Sequence, residues 1–208
     1  MKRPVYRFAR WVFRNWWTRL YGFKSFGWEI VPAQSGCLIV CNHVSFMDAG
    51  AIGTGLPHRE VRFLSKEELF RRPWSRMLLR AWGAFPVARG AHDGRSMGTA
   101  IELLRAGEVV GMFPEGTRSR NGQMGEWHIG LAVMASAAQV PIIPTAVINT
   151  HSTLEVRHGR PGGPPVHIRY GTPITVGPNL QRADLESVRT QARDAVAAML
   201  AEMAQDRN

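Results

Sequence analysis

The stretch IVCNHVSFMDAG, residues 39–50, sets an imidazole at His43 and a carboxylate at Asp48 five positions apart, directly after an apolar run. A carboxylate that accepts the proton of one imidazole nitrogen fixes the tautomer and leaves the other nitrogen free as a base. On a continuous α-helix, however, positions i and i+5 point about 140° apart, and the two groups could not meet. The residues between them offer a way round this. Ser45-Phe46-Met47-Asp48 has the S-x-x-D form of a capping box, which predicts a helix from Ser45, with Asp48 in its first turn and His43 in the turn before it. From there the ring can fold back onto the carboxylate. By itself the stretch admits two readings: a general base with its orienting acid, or a plain capping box beside an incidental histidine. The first reading is half of a triad, and its nucleophile is missing.

A second stretch, FPEGTRSR at residues 113–120, follows the apolar run VVGM and joins a glycine, two hydroxyls, a carboxylate and two arginines. Guanidinium groups grip phosphate oxygens in pairs, and Gly116 lets the backbone approach an anion closely. Pro-Glu-Gly-Thr is also an ordinary turn.

The elements that must position these groups follow from pattern and composition. The chain has 208 residues, 45% of them hydrophobic, enough for one good core. Short apolar runs at 37–42, 61–65, 84–88, 109–114 and 141–148, and an alternating one at 166–171, read as strands. Helical periodicity falls at about 46–55, 66–82, 95–106, 126–139 and 182–204, and RHGRPGGPP (157–165) reads as a surface loop. Strands alternating with helices predict an α/β fold with a largely parallel central sheet flanked by helices, with chemistry in the loops at strand ends. Cys37 and Cys41 read as small buried hydrophobes, since C-x3-C with no further cysteine makes a poor zinc pattern and no disulfide framework. A reducing cytosolic environment fits them.

The net charge of +10 predicts an anionic partner: nucleic acid, a membrane surface or a phosphorylated substrate. Residues 1–30 hold seven of the cations (Lys2, Arg3, Arg7, Arg10, Arg14, Arg19, Lys24) and ten of the nineteen aromatics. At helical period Val5, Phe8, Val12, Phe13, Trp16 and Leu20 share one side, with Arg3, Arg7, Arg10 and Arg14 on another. Arginines interrupt every window long enough to cross a bilayer, so the preferred reading is a basic amphipathic helix lying in the membrane interface, and the alternative is a helix that packs its aromatic side on the protein's own core. Trp11, Trp17, Tyr21, Phe23, Phe26 and Trp28 flank the stripe, more aromatics than one core face needs. Residues 1–30 are therefore set apart as a membrane-interface segment and 31–208 as the α/β domain. Residues 69–82, with Trp74, Met77, Leu78 and Trp82 on one side among arginines, form either a second membrane face or a core helix with snorkelling arginines.

From about Cys37 to Ala146 the chain resembles the membrane-associated glycerolipid acyltransferases, in particular the 1-acylglycerol-3-phosphate (lysophosphatidic acid) acyltransferases. Four blocks match in order: NHVSFMD (42–48), GAFPVAR (83–89), FPEGTRS (113–119) and VPIIPTA (140–146). The resemblance implies that His43 is the general base and Asp48 its orienting acid. The substrate hydroxyl would be the nucleophile, so no acyl-enzyme is needed. It also implies an acceptor phosphate site of Arg89, Glu115, Gly116, Thr117 and Arg118, in which Glu115, unable to bind phosphate itself, orders an arginine. The expected partners are a lysophospholipid and an acyl-CoA or acyl carrier protein thioester at the cytoplasmic face of a membrane, with no metal, no further cofactor and no nucleic acid. His128 stands where many relatives carry a lysine, so a phosphate contact is lost or becomes pH-dependent, and another lyso-lipid is the alternative acceptor. Two rival classes use the same charge, a nucleic-acid-binding protein and a non-catalytic lipid binder of the same fold. The first leaves residues 113–120 unexplained, and the second leaves His43 and Asp48 without a purpose.

Overall fold

A computed structural model describes residues 4–87, 94–119, 121–151, 156–157, 160–161 and 163–205. In chain order the helices are α1 (Pro4–Tyr21), α2 (Asp48–Gly55), α3 (Pro73–Ala81), α4 (Gly94–Arg105), α5 (Gly130–Ala138) and α6 (Arg182–Gln205). The strands are β1 (Lys24–Phe26), β2 (Cys37–Cys41), β3 (Val61–Lys66), β4 (Phe85–Val87), β5 (Val109–Met112), β6 (Ile142–Ile148), β7 (Val156–Arg157), β8 (Arg160–Pro161) and β9 (His167–Tyr170).

Seven strands form one sheet in the order β1-β9-β6-β2-β5-β3-β4. From β6 to β4 every pairing is parallel; β9 runs antiparallel to β6, and β1 runs parallel to β9. Strands β2 and β6 are buried along their whole length, as strands with helices on both faces must be. Side-chain alternation divides the core in two. Leu38 and Val40 of β2 pack with residues of α4, α5 and α6, whereas Cys37, Ile39 and Cys41 pack with residues of α1 and α2.

The predicted strands and helices are all present, with changes at their edges. The span read as one helix over 66–82 is divided: β3 runs through Lys66, a 3-10 turn covers Glu67–Phe70, and α3 begins at Pro73, a residue suited to a first helical position. Helix α5 begins at Gly130 instead of 126, because the chain just before it is held to the start of the β5–α5 loop, where the His128 amide donates to the Pro114 carbonyl at 3.0 Å. In and beside the stretch read as a surface loop, β7 and β8 pair antiparallel.

The largest correction concerns the N-terminus. Trp17, Tyr21 and Phe23, read as flanking an exposed stripe, are buried in the core, and Tyr6 is buried as well. Complete burial of a Trp removes on the order of 150–250 Å² from water, a gross gain of about 4–6 kcal/mol at about 25 cal/mol per Å². Glycines in α2 permit the close approach of α1: a Cβ at Gly53 would lie 2.8 Å from the Tyr6 hydroxyl. That hydroxyl in turn accepts the Val61 amide at 3.2 Å. Phe13 meets Trp82 edge to face at 4.7 Å, which ties α1 to the end of α3. Val5, Phe8, Trp11, Val12 and Leu20 remain exposed. Helix α1 therefore has two apolar faces, and one of them belongs to the α/β core that β1 also joins.

Candidate active site

Three neighbouring parallel strands, β5, β2 and β6, end at the same edge of the sheet, and the loops that leave them carry the site, as open α/β sheets require. Asn42 leaves β2 with its side chain acting as one more rung of the ladder: its Nδ2 donates to the Val147 carbonyl and its Oδ1 accepts the Val147 amide, both at 2.9 Å. This fixes the strand end from which His43 turns.

His43 Nδ1 lies 2.8 Å from Asp48 Oδ2. The same oxygen accepts the Val44 and Ser45 amides, each at 2.8 Å, and the Ser45 hydroxyl accepts the Met47 amide. Only half of the predicted capping box forms: Asp48 takes the Ser45 amide, but the Ser45 hydroxyl takes the Met47 amide while the Asp48 amide goes to the Ser45 carbonyl, so residues 45–47 make a turn and the helix begins at Asp48, three residues later than read. One carboxylate thus both ties the turn amides and holds the ring. Its other oxygen, Oδ1, accepts the hydroxyl of Thr150 at 2.5 Å. Asp48 is fully buried, and four donors saturate its roughly four acceptor positions. Without such partners a buried carboxylate would be prohibitively costly.

The His43 ring stacks on Phe113, centroids 3.9 Å apart and planes 12° apart, and Phe113 stacks in turn on Phe63 at 5.8 Å. The histidine side chain keeps 18% of its surface open, so its free nitrogen is reachable. The backbone of His43 is bound to the second motif at both polar atoms. Its amide donates to Glu115 Oε1 at 2.9 Å, and its carbonyl accepts the Ser119 amide at 2.7 Å.

Glu115 accepts two backbone amides. Its Oε2 accepts the Gly125 amide at 3.0 Å, so this buried side chain pins together the two ends of the β5–α5 loop and ties that loop to the one after β2. Gly116 adopts φ 67°, and a Cβ there would meet His128 Nε2 at 3.5 Å, so His128 stands over this loop. Thr117 and Arg118 are exposed on the same loop. Arg89 lies outside the described residues.

Thr150 was not legible as a site residue, because INTHS after β6 has no pattern of its own; the usable signal is its place just beyond a parallel strand next to β2. Cys41 is the thiol nearest the dyad, and burial first, then the charges of Asp48 and Glu115, push its pKa well up, which keeps it from being a nucleophile. Cys37 is likewise raised by burial, to about 12. Both cysteines are free and buried, as read. Among the described residues no three His, Cys, Asp or Glu side chains group to hold a metal ion, and no helix is long and apolar enough to cross a membrane.

The chain is similar to the 1-acyl-sn-glycerol-3-phosphate acyltransferase of Bacillus subtilis (strain 168), 34% identical over 125 residues that cover 60% of this chain and 62% of that protein. It is also similar to the lyso-ornithine lipid O-acyltransferase of Pseudomonas aeruginosa (strain PAO1), 31% identical over 68% of this chain and 53% of that protein. The match thus spans less than two thirds of either relative's length. The fold matches the crystal structure of the 1-acyl-sn-glycerophosphate (LPA) acyltransferase PlsC from Thermotoga maritima with a TM-score of 0.75, over 96% of this chain and 78% of that one, at 24% identity. Residues 23–148, which hold His43, Asp48 and the loop of Glu115, match the family model described as Acyltransferase, and the chain belongs to that family.

Proposed function

We propose that the protein transfers a fatty acyl group from an acyl thioester, acyl-CoA or acyl carrier protein, to the free hydroxyl of a lysophospholipid, with 1-acylglycerol-3-phosphate as acceptor and phosphatidic acid as product. The observation that carries the proposal is the 2.8 Å contact between His43 Nδ1 and a fully buried Asp48 whose other partners are all donors, within the residues that match the family model. Asp48 accepts the Nδ1 proton, and the lone pair of Nε2 is left free. His43 then takes the proton of the lysolipid hydroxyl as its oxygen attacks the thioester carbonyl. The tetrahedral intermediate collapses with loss of the C–S bond, and the imidazolium returns its proton to the leaving thiolate. Products are an ester and a free thiol, and no protein nucleophile is consumed.

On this reading Gly116, Thr117 and Arg118, with Arg89, form the acceptor phosphate site, and Glu115 holds their loop against His43. The exposed face of α1 (Val5, Phe8, Val12, Leu20) and the exposed Trp74 and Met77 of α3 lie in the cytoplasmic interface of a membrane, as a peripheral or monotopic attachment. Residues 1–30 thus supply the interface while sharing the core. Phe46, exposed between His43 and Asp48 in sequence, gives the site an apolar lip.

A second acceptor reading rests on one observation: His128, not a permanent cation, stands over Gly116. A lyso-lipid with a different headgroup is then the substrate, in keeping with the similarity to an enzyme named for lyso-ornithine lipid. Product analysis with a panel of lyso-lipids and both donor types tests the proposal. Phosphatidic acid as main product supports the first acceptor, and a different ester supports the second. No acyl transfer with any pair would overturn the enzyme reading and return the field to the lipid-binding and nucleic-acid-binding alternatives.

A further inference from the structure

We propose that a basic hollow beside α1, separate from the dyad, is a second and non-catalytic site that binds the phosphate headgroup of an anionic membrane lipid. The proposal rests on the membrane reading above.

The hollow has a volume of about 360 Å³ and lies between α1, β1 and the end of α2. Arg14 and Thr18, one turn apart on α1, form one wall; Lys24 and Phe26 of β1 form another; Thr54 lines it from α2. None of the residues around the dyad lines it. Arg14 and Lys24 are exposed and make no ion pair among the described residues, and no carboxylate lines the hollow. Two uncompensated cations facing one small space repel each other, and an anion relieves that repulsion. Thr54 supplies an independent observation: its residue is 1% exposed, yet its hydroxyl has no hydrogen-bond partner. Buried hydroxyls are nearly always paired, so one left unpaired in the wall of a basic hollow points to a ligand.

A second hollow, about 520 Å³, adjoins the first and shares Arg14 and Pro57 with it. It adds Arg7 and the rings of Phe8 and Trp11, which stack at 6.2 Å and stand 66% and 63% exposed. A soluble phosphate would satisfy the cations and leave these rings in water. A lipid satisfies both, with its headgroup between Arg14 and Lys24 and its chains beside the rings, where aromatics favour the headgroup level of a bilayer.

The test uses the full chain and flotation with phosphatidylcholine vesicles, with and without phosphatidylglycerol. R14Q/K24Q is compared with R182Q/R193Q, which removes the same charge from α6 on the opposite face of the sheet. The hollow variant is expected to lose at least about tenfold more binding to phosphatidylglycerol vesicles than the control, the size of one charge-assisted hydrogen bond. Turnover of a short-chain lysolipid dissolved as monomer should match the unsubstituted chain. Thr54→Val, which removes the unpaired hydroxyl and keeps the shape, should leave the melting temperature equal or higher while weakening vesicle binding. Equal losses in the two double variants would mean that net charge alone acts, and would overturn the site. A melt raised by inorganic phosphate in the unsubstituted chain but not in R14Q/K24Q, with vesicle binding equal in both, would assign the hollow to a soluble anion and overturn the lipid. An unsubstituted chain that ignores phosphatidylglycerol vesicles would remove the membrane reading itself.

Discussion

The ring of Phe113 lies flat against that of His43, 3.9 Å between centroids, so the residue that begins the second motif sets the plane of the imidazole in the first. Phe113→Leu keeps the apolar contact and removes the planar support. The expected result is a several-fold lower kcat, with about 1 kcal/mol lost from stability, the usual size of an aromatic pair. Steady-state kinetics beside a denaturation curve checks it; an unchanged kcat would show that Asp48 alone orients the ring.

His43→Ala should abolish transfer, with a loss of about 10²–10⁴-fold in rate; because it also takes one donor from the buried Asp48, its melt is measured beside its rate to show that the chain remains folded. A folded His43→Ala protein that still turns over would sink the mechanism. Asp48→Asn gives a less clean test, since the carboxylate also caps two backbone amides, and its melt must be compared first.

Thr150→Val removes the donor to Asp48 Oδ1 and leaves a buried acceptor one partner short, which costs about 1–3 kcal/mol. We expect lower kcat and a displaced pH–rate profile, with both restored in Thr150→Ser. A variant with a lower melting temperature but an unshifted profile would make Thr150 a packing residue only.

Arg118 is exposed on the loop stitched to His43, and its replacement by Ala should raise the acceptor KM by one to two decades, the worth of about 1.5–3 kcal/mol for a charge-assisted bond. The donor KM should hardly move. The reverse pattern would put the phosphate elsewhere.

Removal of α1 would expose the Trp17 side of the core and unfold the protein, so its outer face needs separate treatment. Phe8→Glu with Val12→Glu places two charges at exposed positions and should spare the melting temperature. Vesicle binding should fall sharply while turnover of a monomeric substrate persists. Undiminished flotation would shift membrane contact to the α3 face.

The sheet was legible because its strands are apolar on both faces and lie between helical periods; β2 and β6 need no tertiary information to be recognised. Strand β1 was hidden, since Lys24-Ser25-Phe26 alternates too briefly and sits among aromatics that suggested a surface. Periodicity showed that α1 has an apolar side but not which of two such sides the glycines of α2 would receive. The dyad could be read because its members are five residues apart and a short turn joins them. Glu115 and Thr150 could not be assigned their partners, because those contacts reach 72 and 102 positions along the chain and form only when β5, β2 and β6 lie side by side.

That 102-residue reach also sets a timetable for synthesis. A nascent chain carries His43 and Asp48 early, together with the turn that joins them. The oxygen of Asp48 that faces Thr150 has no hydroxyl to receive until β6 has emerged and docked beside β2. Until then Asp48 lacks one of its four donors and the sheet that buries it is incomplete, so the growing chain passes most of its translation without the finished His43–Asp48 arrangement.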